Sequence, residues 1–271
     1  MSKSPIQAVI FDWAGTIVDF GSFAPTSIFV EAFKREYDFD LSLDEAREPM
    51  GLGKWEHIQA VGQIPAVKAR WIDRFGSAMC SDDIDCIYQT FMPLQKAKVS
   101  DHAEPIPHAL EVVNSLKQQG IKIGSCSGYP RQVMDVLVAS AKDYGYQPDY
   151  IVATDDLPQG GRPAAFMALK NVIELGVTDV RQCIKVDDAA PGIDEGHNAG
   201  MWTVGLLLSG NEAGLTLQQY LDADDETLAI AREKARLKLE KSRPHYLIDT
   251  IADFPQVVAD IERRLAAGER P

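Results

Sequence analysis

The spacing of hydrophobic positions changes character twice along this chain. Residues 6–11, Ile-Gln-Ala-Val-Ile-Phe, form a short apolar run that stops at Asp12 and passes into small residues, which predicts a buried strand feeding a loop. From about residue 21, some eighty residues carry amphipathic helical spacing and few strand signals. Ala24-Pro25-Thr26 opens one predicted helix and residues 43–49 hold a short one. Lys54 lies near the start of another, and segments near 66–79 and 82–97 follow. From about residue 104, helical and strand patterns alternate: helices at 109–119, 131–144 and 164–175, strands at 121–125, 150–153, 183–186 and 202–208. Residues 222–241 read as a helix with a solvated face, and 246–249 with 251–265 as a last strand and helix. Such alternation predicts an α/β fold with a doubly wound, mostly parallel sheet. The expected organisation is a core of residues 1–20 and 101–271, with residues 21–100 inserted as a helical cap.

At 271 residues and 45% hydrophobic, the chain can bury a large core. Its 27 basic and 40 acidic residues leave a net charge of −13, which argues against a nucleic-acid or anionic-membrane surface. An anionic ligand would have to be drawn in by local cations. The amino terminus shows no long apolar run, Asp12 interrupting its one candidate, so a cytoplasmic location is the default expectation. Cys80, Cys86, Cys126 and Cys183 have neither paired C-x-x-C spacing nor the histidine partners of a zinc site, and read as buried free thiols.

Candidate chemistry sits where predicted strands end. In open α/β sheets ligands bind at the carboxyl ends of strands, so Asp12 is placed to attack phosphorus. The strand at 121–125 runs on to Ser127, Gly161-Arg162-Pro163 carries a cation able to fork phosphate oxygens, and the strand at 183–186 runs into Asp187-Asp188. Adjacent carboxylates call for a counter-ion, and hard oxygen donors suit Mg²⁺. Taken singly, Asp12 reads equally as a turn residue, Ser127 as a cap, Arg162 as a surface ion pair and Asp187-Asp188 as a solvated turn. The ordered set is far more specific.

That ordered set, beginning with Phe11-Asp12-Trp13-Ala14-Gly15-Thr16, resembles the motifs of the haloacid dehalogenase-like hydrolases. The resemblance implies a Rossmann-like core, Asp12 as nucleophile, Ser127 and Arg162 on the phosphoryl group, and metal binding at the Asp187-Asp188 segment. Most phosphatases of that family carry a second acid two residues after the nucleophile, which protonates the leaving alkoxide; this chain has Ala14 there. A leaving group that departs as carbon needs an electron sink instead, and a lysine condensed with a neighbouring aldehyde supplies one.

A narrower set of segments resembles the phosphonoacetaldehyde hydrolases: Phe23-Ala24-Pro25, Glu45-Ala46-Arg47, Met50-Gly51-Leu52 with Lys54 and His57, Gly128-Tyr129, and residues 198–205. Membership would imply hydrolysis of the carbon–phosphorus bond of phosphonoacetaldehyde to acetaldehyde and phosphate, with Mg²⁺, by a homodimer, in 2-aminoethylphosphonate breakdown. On the same resemblance Lys54 forms the Schiff base, and Asp12, the Ala14 carbonyl and Asp188 hold Mg²⁺. Met50, His57 and Tyr129 line the substrate site, with His57 a proton shuttle, while Thr16 and Asp187 stand behind the metal ligands. Some relatives place an Asp four residues beyond Asp188, where this chain has Gly192, and Asp187 is the substitute at hand.

Lys54 must be neutral to attack an aldehyde, whereas a free lysine titrates near ~10.4. An apolar setting from Met50, Leu52 and Trp55, or the nearby Mg²⁺ and Arg162, would lower it. Rival readings are a phosphate-monoester phosphatase or phosphomutase, against which Ala14 counts, and a haloacid dehalogenase, which needs no acidic pair. A catalytically silent phosphate- or metal-binding protein is the reading from outside the enzymes.

Overall fold

The structure, a computed structural model, describes residues 4–271. Six strands form one parallel sheet: β1 (Ala8–Phe11), β2 (Lys122–Ser127), β3 (Tyr150–Ala153), β4 (Cys183–Asp187), β5 (Trp202–Leu206) and β6 (Tyr246–Ile248), in the order β3-β2-β1-β4-β5-β6. The order reverses on either side of β1, and this is the point at which doubly wound sheets open a ligand crevice. β1 pairs with β2 and β4 in parallel register, so the ends of all three strands reach one edge together. Its residues are buried on both faces, which is why its sequence is a continuous apolar run rather than an alternating one.

Between β1 and β2 the chain forms α1 (Phe23–Tyr37), α2 (Leu43–Arg47), α3 (Lys54–Val61), α4 (Pro65–Phe75) and α5 (Ser81–Lys98). These helices enclose a hydrophobic cluster of their own, including Phe29, Phe33, Ile58, Trp71, Ile87 and Phe91, separate from the clusters that flank the sheet. Trp71 is fully within it, and Trp55, half-buried at its edge, donates its indole N–H to Asp85 at 2.7 Å. Each fully buried aromatic or aliphatic side chain there contributes roughly 1.5–3 kcal/mol, enough in sum to hold the helices together around a common centre. α2 is short, and a reciprocal capping box between Ser42 and Glu45 fixes its start. Asp19 ties the two connections between this helical layer and the sheet: one carboxylate oxygen accepts the Ala24 amide at 2.8 Å, the other meets His102 Nδ1 at 2.9 Å.

The rest alternates as expected, through α6 (Ala109–Gln118), α7 (Arg131–Asp143), α8 (Phe166–Glu174), α9 (Ala190–Asn198), α10 (Leu217–Asp222), α11 (Asp225–Leu239) and α12 (Phe254–Ala266). Two features depart from the sequence reading. The segment 222–241 is the end of α10 followed by α11, because Asp224 caps a new helix through the Thr227 amide. α9 is absent from the predicted helices; it contains Pro191, Gly192 and Gly196, residues of low helix propensity. In the structure Pro191 falls in the first turn, where a missing N–H costs nothing, and the glycines admit neighbouring side chains. No helix among the described residues is long and apolar enough to cross a membrane.

Candidate active site

The carboxyl ends of β1, β2 and β4 and the start of α3 enclose one cavity. Its walls include Asp12, Ala14, Met50, Lys54, Ser127, Tyr129, Arg162 and Asp188, given roles in the sequence, together with Pro25, Gly51 and Gly128, which appeared there only as motif residues, and Ser22, which did not appear. For the two glycines the reason is close approach rather than side-chain chemistry. Gly128 is the clearest case: a Cβ there would stand 2.6 Å from the Leu52 carbonyl, so only glycine lets the two layers close on each other.

Asp12 follows β1 directly and is 6% exposed. Its Oδ1 accepts Arg162 Nη2 at 2.8 Å. Burial first, then the charge of Asp187, raises the Asp12 carboxyl to about 6, against the pull of Arg162 and Lys185. Ser127 ends β2; its Oγ accepts the Tyr129 amide at 3.0 Å, which leaves the hydroxyl proton free for a ligand in the cavity. The Tyr129 hydroxyl is buried with no hydrogen-bond partner among the described residues, and burial holds its ionisation well above the ordinary value, so it stays a donor.

Arg162 is the hub of the floor. Its Nε donates to Glu195 at 3.0 Å, Nη2 reaches Asp12, Asp187 (3.1 Å) and the Cys126 carbonyl (3.1 Å), and Nη1 approaches the Gly51 carbonyl at 3.4 Å. Glu195 and Lys185 were missed in the sequence. Lys185 lies in β4 with its ammonium 2.5 Å from Asp187 and 3.8 Å from Glu195, fully buried. A Cβ at Gly196 would lie 2.7 Å from Lys185 Cβ, and one at Gly192 would collide with the Asp187 carboxylate. The G-x-x-x-G spacing on α9 therefore makes the slot for this buried charge stack, the only sign of it in the sequence. The same contact explains Gly192: Asp187 fills the space that a side chain there would occupy. Asp187 accordingly turns toward Lys185 and Arg162 and is not in the cavity wall.

Two other expectations are corrected. His57 does not line the cavity. It is fully buried on α3, its ring stacked on Phe29 with centroids 3.8 Å apart, and its Nε2–H donates to the Ala46 carbonyl at 2.8 Å. Burial and the Lys54 charge hold it neutral, so Nδ1 keeps its lone pair, without a partner among the described residues. Thr16 is buried behind the Asp12 loop, its hydroxyl likewise unpartnered there. Of the thiols, only Cys126 and Cys183 are buried. Cys80 is exposed and Cys86 half-buried, at the start and in the second turn of α5. Cys126 accepts Asn171 Nδ2 at 3.3 Å, and burial pushes its thiol far up, so it is an inert filler beside the site.

Lys54 is the first residue of α3 and 4% exposed, its ammonium nitrogen 4.7 Å from the Tyr129 ring centroid and 5.6 Å from that of Phe29. Burial is the largest influence and lowers its amine to about 7, with Asp12 opposing and Arg162 assisting. Of the two causes the sequence left open, an apolar setting and a nearby cation, both act: burial is the larger and Arg162 adds to it. At neutral pH a large share of Lys54 is the free amine.

The oxygens of Asp12, Asp187 and Asp188 lie within 4.8 Å of one another. Asp188 is raised well above the ordinary carboxylate value by burial and by the charges of Asp12 and Asp187, although the Asn211 amide donates to its Oδ2 at 2.7 Å. Asp12, Asp187 and Glu195 share two cationic partners, Arg162 and Lys185, while buried Asp188 pairs with neither. That excess of hard oxygen donors fits a divalent cation. Gly15, at φ +78°, leaves the room: a Cβ there would stand 2.1 Å from Asp188 Oδ2.

Comparison with known proteins agrees with this arrangement. The haloacid dehalogenase-like hydrolase family matches residues 6–200. The chain is 80% identical over all 271 residues to a phosphonoacetaldehyde hydrolase of Vibrio campbellii, and 75% identical to one of Vibrio cholerae, in both cases across the whole of each chain. Among solved structures, a phosphonoacetaldehyde hydrolase-like protein from Oleispira antarctica superposes with a TM-score of 0.95 at 42% identity, covering 99% of this chain and 97% of that one. A β-phosphoglucomutase from Clostridium difficile, at 15% identity and a TM-score of 0.66, shares the fold alone. The chain is an enzyme of the haloacid dehalogenase-like hydrolase family and belongs, within it, to the phosphonoacetaldehyde hydrolases.

Proposed function

We propose that this site hydrolyses the carbon–phosphorus bond of phosphonoacetaldehyde, yielding acetaldehyde and phosphate. The observation that carries the reading is a buried lysine, lowered to about 7, facing the same cavity as a strand-end aspartate with Ala14 where an oxygen-protonating acid would stand. The names of the curated relatives support the same substrate.

In this reading the helical layer acts as a cap that supplies Lys54, while the sheet supplies Asp12. The Lys54 amine adds to the aldehyde and loses water to give a protonated imine. One Asp12 oxygen then attacks phosphorus in line, and the electron pair of the carbon–phosphorus bond flows into the iminium, leaving an enamine on Lys54 and an aspartyl phosphate on Asp12. Protonation of the enamine carbon and addition of water free acetaldehyde, and a second water hydrolyses the aspartyl phosphate. Ser127 and Arg162 hold phosphoryl oxygens, and the Tyr129 hydroxyl offers a further donor. Asp12, the Ala14 carbonyl and Asp188 are the groups that would hold Mg²⁺, which when bound screens the phosphoryl charge from the carboxylates. His57, bonded to Ala46, is placed to orient α3 rather than to touch substrate.

The test is equimolar release of acetaldehyde and phosphate from phosphonoacetaldehyde, beside a panel of phosphate monoesters. Chelation is expected to reduce the rate by more than about 10²-fold, restored by Mg²⁺. Turnover of esters alone would instead identify a general phosphatase, and silence on both substrates a binding protein. The Lys54 assignment carries its own pH signature: the free amine is the reactive form, so the initial rate of borohydride-trapped imine should rise through about pH 7. A half-rise near the value of a solvated lysine would show that burial does not lower Lys54.

A further inference from the structure

Arg47 is buried at 6% exposure, yet it is not itself part of the cavity wall. It is the last residue of α2 in the cap, and its side chain crosses to the core. Nη1 donates to the Gly21 carbonyl at 2.6 Å and reaches the Asn211 carbonyl at 3.3 Å and Asn211 Oδ1 at 3.2 Å. Asn211 answers through Nδ2, which donates to the Arg47 carbonyl at 3.2 Å. The guanidinium lies 4.4 Å from the Phe23 ring centroid and against Gly214, whose missing side chain leaves the space for it.

Both ends of this reciprocal pair continue into the site. On the core side, the Asn211 amide donates to Asp188 Oδ2 at 2.7 Å. On the cap side, the Arg47 carbonyl also accepts the Met50 amide at 3.0 Å, and the adjacent Ala46 carbonyl accepts His57 at 2.8 Å. The last carbonyls of a helix have no partners within it. Here they are used to fix the loop that carries Met50 and Gly51 and the helix that carries Lys54.

The geometry points to Arg47 as a positioning residue that, clasped with Asn211, sets the register between the cap, which holds the imine lysine, and the core, which holds the attacking carboxylate. This inference rests on the proposed imine chemistry. That chemistry demands an aldehyde carbon on one unit and a phosphorus on the other at a single fixed spacing, and a misplacement of about 1 Å can cost roughly 10²-fold.

Arg47→Ala, Arg47→Lys, Asn211→Ala and the double alanine variant test it, each checked for folding by circular dichroism. With Arg47→Ala, kcat for phosphate release should fall about 30- to 100-fold. Borohydride trapping of imine at Lys54 should stay within about threefold of the parent, since imine formation does not need the register. Arg47→Lys should recover part of the loss. The double alanine variant should be no slower than the slower single variant, because both remove one clasp. Without any ligand, amide exchange in Arg47→Ala should quicken in residues 48–54 and 209–213 together. The inference is overturned by a kcat within twofold of the parent, by independent multiplying losses, by trapping that falls in step with phosphate release, or by unchanged exchange at 209–213. Should Arg47→Ala fail to fold, Arg47→Lys carries the same comparisons with an expected loss of about tenfold. A parent that releases no phosphate from phosphonoacetaldehyde would overturn the functional reading, and the exchange measurement would still decide the clasp.

Discussion

Asp12→Ala is expected to lower phosphate release by about 10⁴-fold or more, while leaving an imine at Lys54 that borohydride still traps. The two halves of this result follow from the division of labour in the site. In the proposed mechanism the carboxylate that attacks phosphorus comes from the end of β1, whereas the amine that condenses with the aldehyde comes from α3. Removing the first leaves the second in its aromatic setting. Arg162 also keeps its bonds to Glu195, Asp187 and the Cys126 carbonyl. The variant should melt no earlier than the parent. The folded state raises Asp12 from 3.8 to about 6, so the stability linked to its protonated form is present at low pH and is lost as pH rises through that value. At neutral pH the ionised carboxylate is therefore a burden on the fold, and alanine relieves it. Phosphate release at the parental rate would remove Asp12 from the reaction, and loss of trapping along with turnover would mean that Lys54 depends on Asp12 for its reactivity.

Lys54→Arg is expected to abolish both trapping and phosphate release, the latter by about 10³-fold or more. A guanidinium stays protonated at any working pH and cannot form the imine, although it keeps the charge that a purely electrostatic role would need. The comparison is demanding because the pocket favours neutrality: Lys54 is 4% exposed between Tyr129 and Phe29 and is lowered to about 7. Lys54→Met, which adds no buried charge, separates the loss of chemistry from strain and should be equally inactive with a parental melting temperature. Turnover of Lys54→Arg at the parental rate would falsify the imine mechanism even with the substrate correctly identified.

The strands were legible because a buried parallel strand must be apolar on both faces, which leaves short runs such as Val9-Ile10-Phe11 between polar segments. Strand ends were equally legible, since Asp12, Ser127 and Asp187-Asp188 each break such a run. α9 was not, because its proline and two glycines serve packing rather than helix propensity. Lys185 and Glu195 escaped for a related reason. One lies in an apolar strand and the other on a helix that holds a proline and two glycines, and neither means anything until β4 and α9 are in contact. His57 was placed correctly beside Lys54 along α3 but on the wrong surface, since the helix's rotation is set by the stack of His57 on Phe29 and Phe29 on Phe91.

Local sequence alone determined the identity of the reactive groups and the order in which they meet the sheet edge. Strand period, abrupt polar termini and the missing acid at Ala14 are properties of a few consecutive residues. Tertiary structure decided what those groups can do. The lowering of Lys54 comes first from burial, and the rise of Asp12 and Asp188 comes first from burial and then from carboxylates that the ends of β1 and β4 bring together. The turning of Asp187 away from the cavity comes from Lys185 beneath it. Each depends on desolvation and on charges far apart in the chain, which no local pattern encodes.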